Sequence, residues 1–446
     1  MSTPTTHVAG SELAKITHEE LPLFLLNAAM NQRPLFIHGR TGIGKTTSIH
    51  RFAEEIGCKH VLDRRPANED VTELAGFTIP DLESFITRHC PPEWSMIETP
   101  DEEPIIVIFE EITSVRDTAM QSMLYEVLQE RTLRGRKFSP NWIFIGTGNL
   151  KNEDGLVFPI PAPLLNRFMH VELINDADNF VRYGRRKNMH PMVLAWISHK
   201  GTSELHHYVS GEYAFRTNRT WEEVSKTLYN PLIQIELKNN FGIDEVIPES
   251  VVNDFNKRNK FVNKSLVERF SKGVDSEFLS KSIASIIGSK SAIDFVNFVK
   301  TAKHIMPVLE LMFDKNGNFD EKKCHSAWAD LDEDNLYILI EYVSSRLVAL
   351  REKGENIKKY MKACAHLISF IKNHQDSGVY GGVSRKEFVI GFYQSLNEAS
   401  ENELILHATQ SLNGNGADAD IMRHIMECNN TLKEIEEAEL TVVEEA

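Results

Sequence analysis

The sequence predicts an α/β fold of the phosphate-loop type: a mainly parallel sheet covered by helices, followed by a long helical region. Three observations carry this reading. Residues 39–46 read Gly-Arg-Thr-Gly-Ile-Gly-Lys-Thr, a complete G-x-x-x-x-G-K-T pattern set between a short apolar run (Pro34 to Ile37) and a segment with helical spacing (Thr46 to Glu55). The first half of the chain alternates short apolar runs with helical patterns, as strands of a parallel sheet and their covering helices do. Beyond about Asn175 strand signals fade and helical spacing dominates.

Each element follows in order. An amphipathic stretch from Glu19 to Ala29 leads to the strand before the loop. A second short strand, His60 to Leu62, follows the loop's helix. Residues 64–104 carry Pro66, Pro80, Pro91, Pro92 and Pro100 and read as a long irregular segment, of the kind that is often functional. Ile105-Ile-Val-Ile-Phe109 is an uninterrupted β-branched and aromatic strand, suited to burial on both faces. Ala119 to Arg131 has helical spacing, and Trp142 to Ile145 is a further strand ending in Gly146-Thr-Gly-Asn149. Helical patterns follow at Asp176 to Lys200, Thr220 to Leu228, Phe278 to Ile287, Ala292 to Leu311, Asn335 to Glu352, Tyr360 to Asn373 and Arg385 to Leu396. The stretch from Lys433 to Ala446 is acidic. The expected division is a nucleotide-binding core over 1–175, a small helical lid over 176–257 and a helical partner region over 258–446.

Residue types in the loop define its chemistry. Gly39, Gly42 and Gly44 permit a tight turn and close approach of an anion. Successive N–H groups and the positive end of the following helix then face phosphate. Lys45 would reach the β- and γ-phosphates, and the Thr46 hydroxyl would take a place on Mg²⁺. The nucleotide-binding set is Gly39, Arg40, Thr41, Gly42, Ile43, Gly44, Lys45, Thr46 and Thr47, with ATP and Mg²⁺ as the expected ligands. Glu110 and Glu111 end the strand 105–109, at the end of an open α/β sheet where ligands bind. There Glu110 would hold the metal beside Thr46, and Glu111 would polarise an attacking water.

Composition narrows the function. With 446 residues, 41% of them hydrophobic and 9% aromatic, the chain has room for two or three domains. No apolar run approaches a membrane span, and the polar start, Met1 to Gly10, does not read as a secretory signal. Five scattered cysteines form no C-x-x-C pair, and no His/Cys cluster appears in the sequence, so neither a disulfide framework nor a zinc site is indicated. A reducing cytoplasm is the expected location. The net charge of −15 argues against a general nucleic-acid coat. Two local basic clusters, Arg131 to Lys137 and Arg182 to Lys187, would either track a phosphate backbone or serve as solvated faces and intersubunit contacts. The segment from Asp314 to Asp320 has its glycine out of place for a calcium loop and reads as a turn.

On this ordered series the sequence resembles the AAA+ ATPases, and within them the MoxR-like group found in bacterial and phage genomes. The resemblance spans roughly residues 15 to 230. Glu110-Glu111 matches the acidic pair that ends the Walker B strand, and Asn149 matches sensor 1. Leu164-Leu-Asn-Arg-Phe168 is similar to the segment carrying an arginine finger, at Arg167, and Asn218-Arg-Thr-Trp221 is similar to the sensor-2 motif, at Arg219. Asp70 to Gly76 and Pro91-Pro-Glu-Trp94 also look like family elements. Two departures stand out. The family usually has Asp before Glu where this chain has Glu110, and proline where it has Asn218.

The resemblance implies an AAA+ αβα core followed by a helical lid. It implies an ATPase in which Glu111, Glu110, Asn149, Arg167 and Arg219 act together, Arg167 reaching a neighbour's nucleotide. That arrangement requires a homo-oligomer, usually a ring of six. It further implies chaperone-like remodelling of a protein client, often with a von Willebrand factor A-type partner. Two alternatives stay open: a DNA-stimulated motor or loader, favoured by the basic clusters, and a nucleotide-reading scaffold with little turnover, favoured by the extra methylene of Glu110.

Overall fold

The computed structural model describes residues 13–83, 85–150, 165–208, 211–314, 318–375, 385–406, 423–431 and 433. The acidic tail over 434–446, residues 315–317 of the turn at 314–320, and Leu164 of the finger segment lie outside the described residues. The chain divides into two units: one runs to Asn179 and adds Tyr208–Gly211 and Thr217–Arg219, and the other takes the remainder.

The first unit is built on a six-stranded sheet. Its strands are β1 (Ala14–Ile16), β2 (Leu35–Gly39), β3 (His60–Arg64), β6 (Ile105–Phe109), β9 (Trp142–Gly148) and β10 (Met169–Leu173). The order is β1-β10-β2-β9-β6-β3, and every pairing is parallel. The strand leading into the glycine loop is therefore central, flanked by β10 and β9, and the C-terminal ends of β2, β9 and β6 lie side by side. Two small antiparallel ribbons complete the strands: β4 (Phe77–Asp81) with β5 (Ile86–Cys90), and β7 (Thr132–Leu133) with β8 (Arg136–Lys137).

Period-two alternation splits the core between the two faces of the sheet. Leu35, Ile37, Ile106, Ile108 and Ile145 face one side. There they meet Leu21, Leu25 and Ala28 of α1 (Leu21–Met30) and Ile49, Phe52 and Ala53 of α2 (Lys45–Glu55). Phe36, Val107, Phe109 and Phe144 face the other side, against Met120, Met123 and Leu124 of α4 (Thr118–Tyr125) and Leu74 of the short α3 (Val71–Ala75). All five residues of β6 are fully buried, which explains why that strand reads as a continuous apolar run.

Three sequence readings need correction. The segment 64–104 is not irregular: it holds α3, opened by a capping box of Asp70 and Glu73, and then the β4–β5 ribbon. Its strands were hidden because the ribbon is exposed, so no alternation marks it, and because Pro80 sits where a two-stranded ribbon tolerates a missing N–H. The helical stretch 176–200 is two helices, α5 (Ala177–Arg186) and α6 (Pro191–Lys200). Asn188 takes a left-handed conformation, and the His190 ring accepts from Met192 N at 3.2 Å to cap the second helix before Pro191. Beyond α4, residues Glu126–Glu130 form a wider, π-type turn that ends at left-handed Arg131. Strands β1 and β10 escaped the sequence reading altogether; β1 has three residues, and β10 alternates His170 and Glu172 with its buried Val171 and Leu173.

The second unit is helical. After α6 come α7 (Asn218–Leu228), whose first residues belong to the first unit, α8 (Pro231–Phe241), α9 (Glu249–Arg258), α10 (Lys264–Ser271), α11 (Phe278–Ile287) and α12 (Ser289–Thr301). They are followed by α13 (Met306–Met312), α14 (Glu321–Ala329), α15 (Glu333–Glu352), α16 (Met361–Gln375) and α17 (Arg385–Ala399). A buried polar knot lies within it. His190 Nε2 is 2.8 Å from Glu245 Oε2, Gln234 donates to the same oxygen at 3.1 Å, and the Tyr342 hydroxyl donates to the other. Burial alone would raise the Glu245 carboxyl, but these partners outweigh it and hold it below the ordinary range.

One arginine of each basic cluster is engaged within the fold, while Arg134, Lys137, Arg186 and Lys187 are exposed. The Arg131 guanidinium donates to the carbonyls of Ser139 and Trp142, each at 2.8 Å, and lies over the Phe144 ring. Arg185 forms an ion pair with the buried Glu341.

Candidate active site

The glycine loop connects β2 to α2, and two of its residues require glycine. Gly42 and Gly44 have φ of 72° and 101°, in the left-handed region. A Cβ on Gly42 would also lie 2.8 Å from Thr217 Oγ1. The loop is held through its carbonyls. Gly42 O accepts from Arg219 N at 3.2 Å, and Ile43 O accepts from Asn218 Nδ2 at 3.1 Å and from His18 Nε2 at 2.9 Å. The N-terminus of α2, which follows directly, adds the backbone N–H groups of a helix start, suited to an anion.

The parallel order brings the predicted groups to this loop. Lys45 Nζ donates to Gly39 O at 2.8 Å, to Arg40 O at 3.1 Å and to Asn149 Oδ1 at 3.1 Å. Thr46 Oγ1 donates to Glu110 Oε1 at 2.6 Å, and Arg65 Nε donates to the other carboxylate oxygen of Glu110 at 2.6 Å. Glu110 is 7% exposed. Glu111 is exposed and has φ of 54°, a left-handed conformation that costs a non-glycine residue energy and that clusters at functional sites. Its N–H donates to Thr147 Oγ1 at 3.4 Å. Gly146 and Gly148 allow the segment after Glu111 to lie against β9: a Cβ on either would come within 2.7 Å of Ile112 or 2.6 Å of Thr113.

Arg219 reaches the loop through its backbone, with an exposed side chain. Arg167 does not join the site. It precedes β10, whose Met169 pairs with Leu35 and whose Leu173 pairs with Gly39, so Arg167 lies at the end of the sheet away from the glycine loop. Four residue steps separate the two ends, about 13 Å along the strands. Its side chain is exposed. Arg33 secures the turn that carries it, donating to the carbonyls of Asn166, Arg167 and Phe168 at 3.0, 3.1 and 3.1 Å.

Sequence reasoning missed His18, Arg33, Arg65 and the loop contact of Asn218. His18, Arg33 and Arg65 belong to no spaced pattern, and Asn218, although it opens the segment 218–221, touches the loop through a contact made only by folding. It also missed the pair formed by His38, just before Gly39, and His170: His38 Nε2 lies 3.0 Å from His170 Nδ1, and His170 Nε2 lies 2.6 Å from Leu165 O. Burial, His170 and Lys45 push His38 down to about 4.

The donor set suits the ligands the loop implies. A hydroxyl and a carboxylate meeting at 2.6 Å offer the hard oxygens that a magnesium ion prefers. Left-handed glycines, a helix N-terminus and a lysine at the loop mouth fit a polyphosphate.

Fold and site together define a phosphate-loop NTPase fold, a mainly parallel αβα core followed by helices. No protein-family model matches the chain, and no curated protein matches it. Among solved structures it is similar to the RuvB Holliday junction branch migration motor of Thermotoga maritima, at 12% identity and a TM-score of 0.26, covering 70% of this chain and 80% of that one. A substituted form of the same motor gives 13%, 0.27, 70% and 81%. A protein of Cytophaga hutchinsonii, named for an inferred ATPase activity, gives 11%, 0.26, 85% and 89%. At these scores the likenesses carry no argument about this chain, and its fold rests on strand order and the loop.

Proposed function

We propose that this protein is an ATP-hydrolysing ring ATPase of AAA+ type, close to the MoxR-like group, that remodels protein complexes. The observation that carries the reading is the convergence of Lys45, Thr46, Glu110 and Asn149 on one loop mouth. Lys45 and the loop N–H groups bind the β- and γ-phosphates of ATP. Glu111, beside them, takes up proton density from a water that attacks the γ-phosphorus. The bond to the bridging oxygen breaks, and ADP and phosphate leave. Asn149 orients that water through its amide. Thr46 and Glu110 would hold a magnesium ion, which neutralises charge on the phosphate oxygens when bound. Arg219 couples the nucleotide to the helical segment it begins.

The placement of Arg167 favours a site shared between subunits. Its exposed side chain at the far end of its own sheet is available to a neighbour, as a rotating heterologous interface requires. A homo-oligomeric ring of six, working in the cytoplasm, is the form we infer. Within it the core spans 1–175, the lid 176–257 and the partner region 258–446. Among the described residues no helix is long and apolar enough to cross a membrane.

The β4–β5 ribbon supports a protein client. Phe77, Ile79 and Ile86 are exposed on it, and Leu82 and Phe85 at its tip are 80% and 92% exposed. An apolar patch of this kind marks a surface for protein contact. A von Willebrand factor A-type domain is the partner class we infer. The DNA-stimulated alternative draws less support, since Arg131 and Arg185 are engaged inside the fold.

The test is phosphate release by purified protein, with and without DNA. Turnover that is lost in Glu111→Gln while nucleotide binding persists is expected. Parent protein that binds ATP without hydrolysing it would leave the scaffold alternative in place, and strong stimulation by DNA would replace the client reading with the motor one.

A further inference from the structure

The helical unit brings together three side chains that the sequence keeps apart. Glu321 and His325 are four residues apart on α14 and so share one face of that helix. His366 on α16 meets them, and the candidate ligand atoms of all three lie within 4.8 Å of one another. His366 is 1% exposed. Its Nδ1 is 3.9 Å from Glu321 Oε1, too far for a hydrogen bond. His325 Nε2 is buried and has no hydrogen-bond partner among the described residues. Such an atom is costly unless a ligand satisfies it. The surroundings are aromatic: Phe319 lies against His366, and Trp328 and Phe370 against His325.

We propose that Glu321, His325 and His366 bind one divalent transition-metal ion, zinc by the type of its ligands, with a fourth position open to water. Two imidazoles and one carboxylate are a three-ligand set typical of zinc with an open site, and nitrogen donors disfavour magnesium and calcium. Zinc holds such donors at about 2.0–2.2 Å, so neighbouring ligand atoms in a tetrahedral site stand roughly 3.3 Å apart. The present spacing closes to that value by rotation of side chains, chiefly that of Glu321, which is 55% exposed. Cys324 lies between the two α14 ligands in sequence, but its sulfur is not among the atoms that meet within 4.8 Å of one another. Bound metal braces α14 against α16. The brace belongs to the second unit and is independent of the nucleotide reading.

Tag-free full-length protein, stripped with a chelator and desalted, tests this with zinc chloride and cobalt chloride as probes. One equivalent of zinc retained after desalting, a visible cobalt spectrum of low-coordination type, and a zinc-dependent rise in Tm are expected. His325→Ala and Glu321→Gln should each weaken zinc binding by more than the about 10–100-fold that changes outside the ligand set cost, with circular dichroism unchanged. His366→Gln is the companion variant, and because that residue is buried the other two carry the test. Retention well below one equivalent by folded parent protein overturns the proposal. So does equal zinc affinity in parent and His325→Ala, which would put the metal elsewhere among the chain's 17 histidines.

Discussion

Asn149 Oδ1 accepts from the ammonium of Lys45 at 3.1 Å, which ties the end of β9 to the glycine loop. The group proposed to orient water and the group proposed to grip phosphate are thus one hydrogen-bonded unit. Lys45→Ala should lower nucleotide affinity by at least about 100-fold, as expected for losing charge-assisted bonds to phosphate. Asn149→Ala should leave affinity within a few-fold and cut turnover by about 100-fold, in line with removal of one oriented donor. Calorimetry and phosphate release separate the two outcomes. If Asn149→Ala weakens binding as much as Lys45→Ala does, the assigned division of labour is wrong.

A site shared between subunits makes a prediction that no single variant makes. Arg167→Ala and Glu111→Gln should each bind ATP and each lose turnover, by orders of magnitude for the guanidinium. Mixed together, they should regain part of the activity, because some seams then pair an intact Glu111 with an intact Arg167. A mixture as inactive as its components would place both residues in one protomer's site or in none.

Arg33 braces the turn that carries Arg167, the residue proposed as the finger. Three carbonyls of that turn accept from the Arg33 guanidinium. Arg33→Ala should therefore lower turnover about tenfold or more while nucleotide affinity holds, since misplacement by an ångström is already costly. Arg33→Lys should not rescue it, because an ammonium cannot reproduce the planar fork. Parent-like turnover in Arg33→Lys would show that charge alone suffices.

Acid should weaken the fold through His38. Its folded pKa, about 4, lies below the value of about 6.5 for an unfolded histidine. The unfolded chain therefore takes up the proton first. The contribution is whole above pH 6.5, falls as pH drops from 6.5 towards 4, and is gone below that. Its size is at most about 3 kcal/mol. The groups facing His38 are His170 and Lys45, and His38→Gln should flatten the fall of Tm across this window. An unchanged slope would assign the acid sensitivity to other groups.

What the sequence made legible was what repeats along it. The loop glycines, the fully buried β6 and the helical spacing of α11 and α15 are local patterns, and the structure has elements at those places. The sheet order could not be read, because β10 hides between His170 and Glu172 and β1 has three residues. At the site, Lys45, Thr46 and Glu110 stand in named motifs. Arg65 stands in none, and Asn218 stands where the resembled motif usually has proline, yet one grips Glu110 and the other grips Ile43. In the structure the departure from proline at Asn218 supplies a donor to the loop. The cluster of Glu321, His325 and His366 was illegible for the same reason, since only the packing of α14 and α16 assembles it.

Gly76 closes α3 and opens β4 with φ of 75°, and a Cβ there would lie 2.1 Å from Cys90 O, the carbonyl at the far end of the ribbon. The two legs of the β4–β5 ribbon are thus clamped at their root. Glycine at that position therefore lets α3 run directly into the ribbon, with Phe77 paired to Cys90. At the head of that helix Glu69 holds Arg64 by a 2.6 Å ion pair and the backbone of Arg65 at 2.6 Å, and Arg65 holds Glu110. The segment that opens α3 is thus joined, through Glu69, Arg65 and Glu110, to the carboxylate that accepts from Thr46.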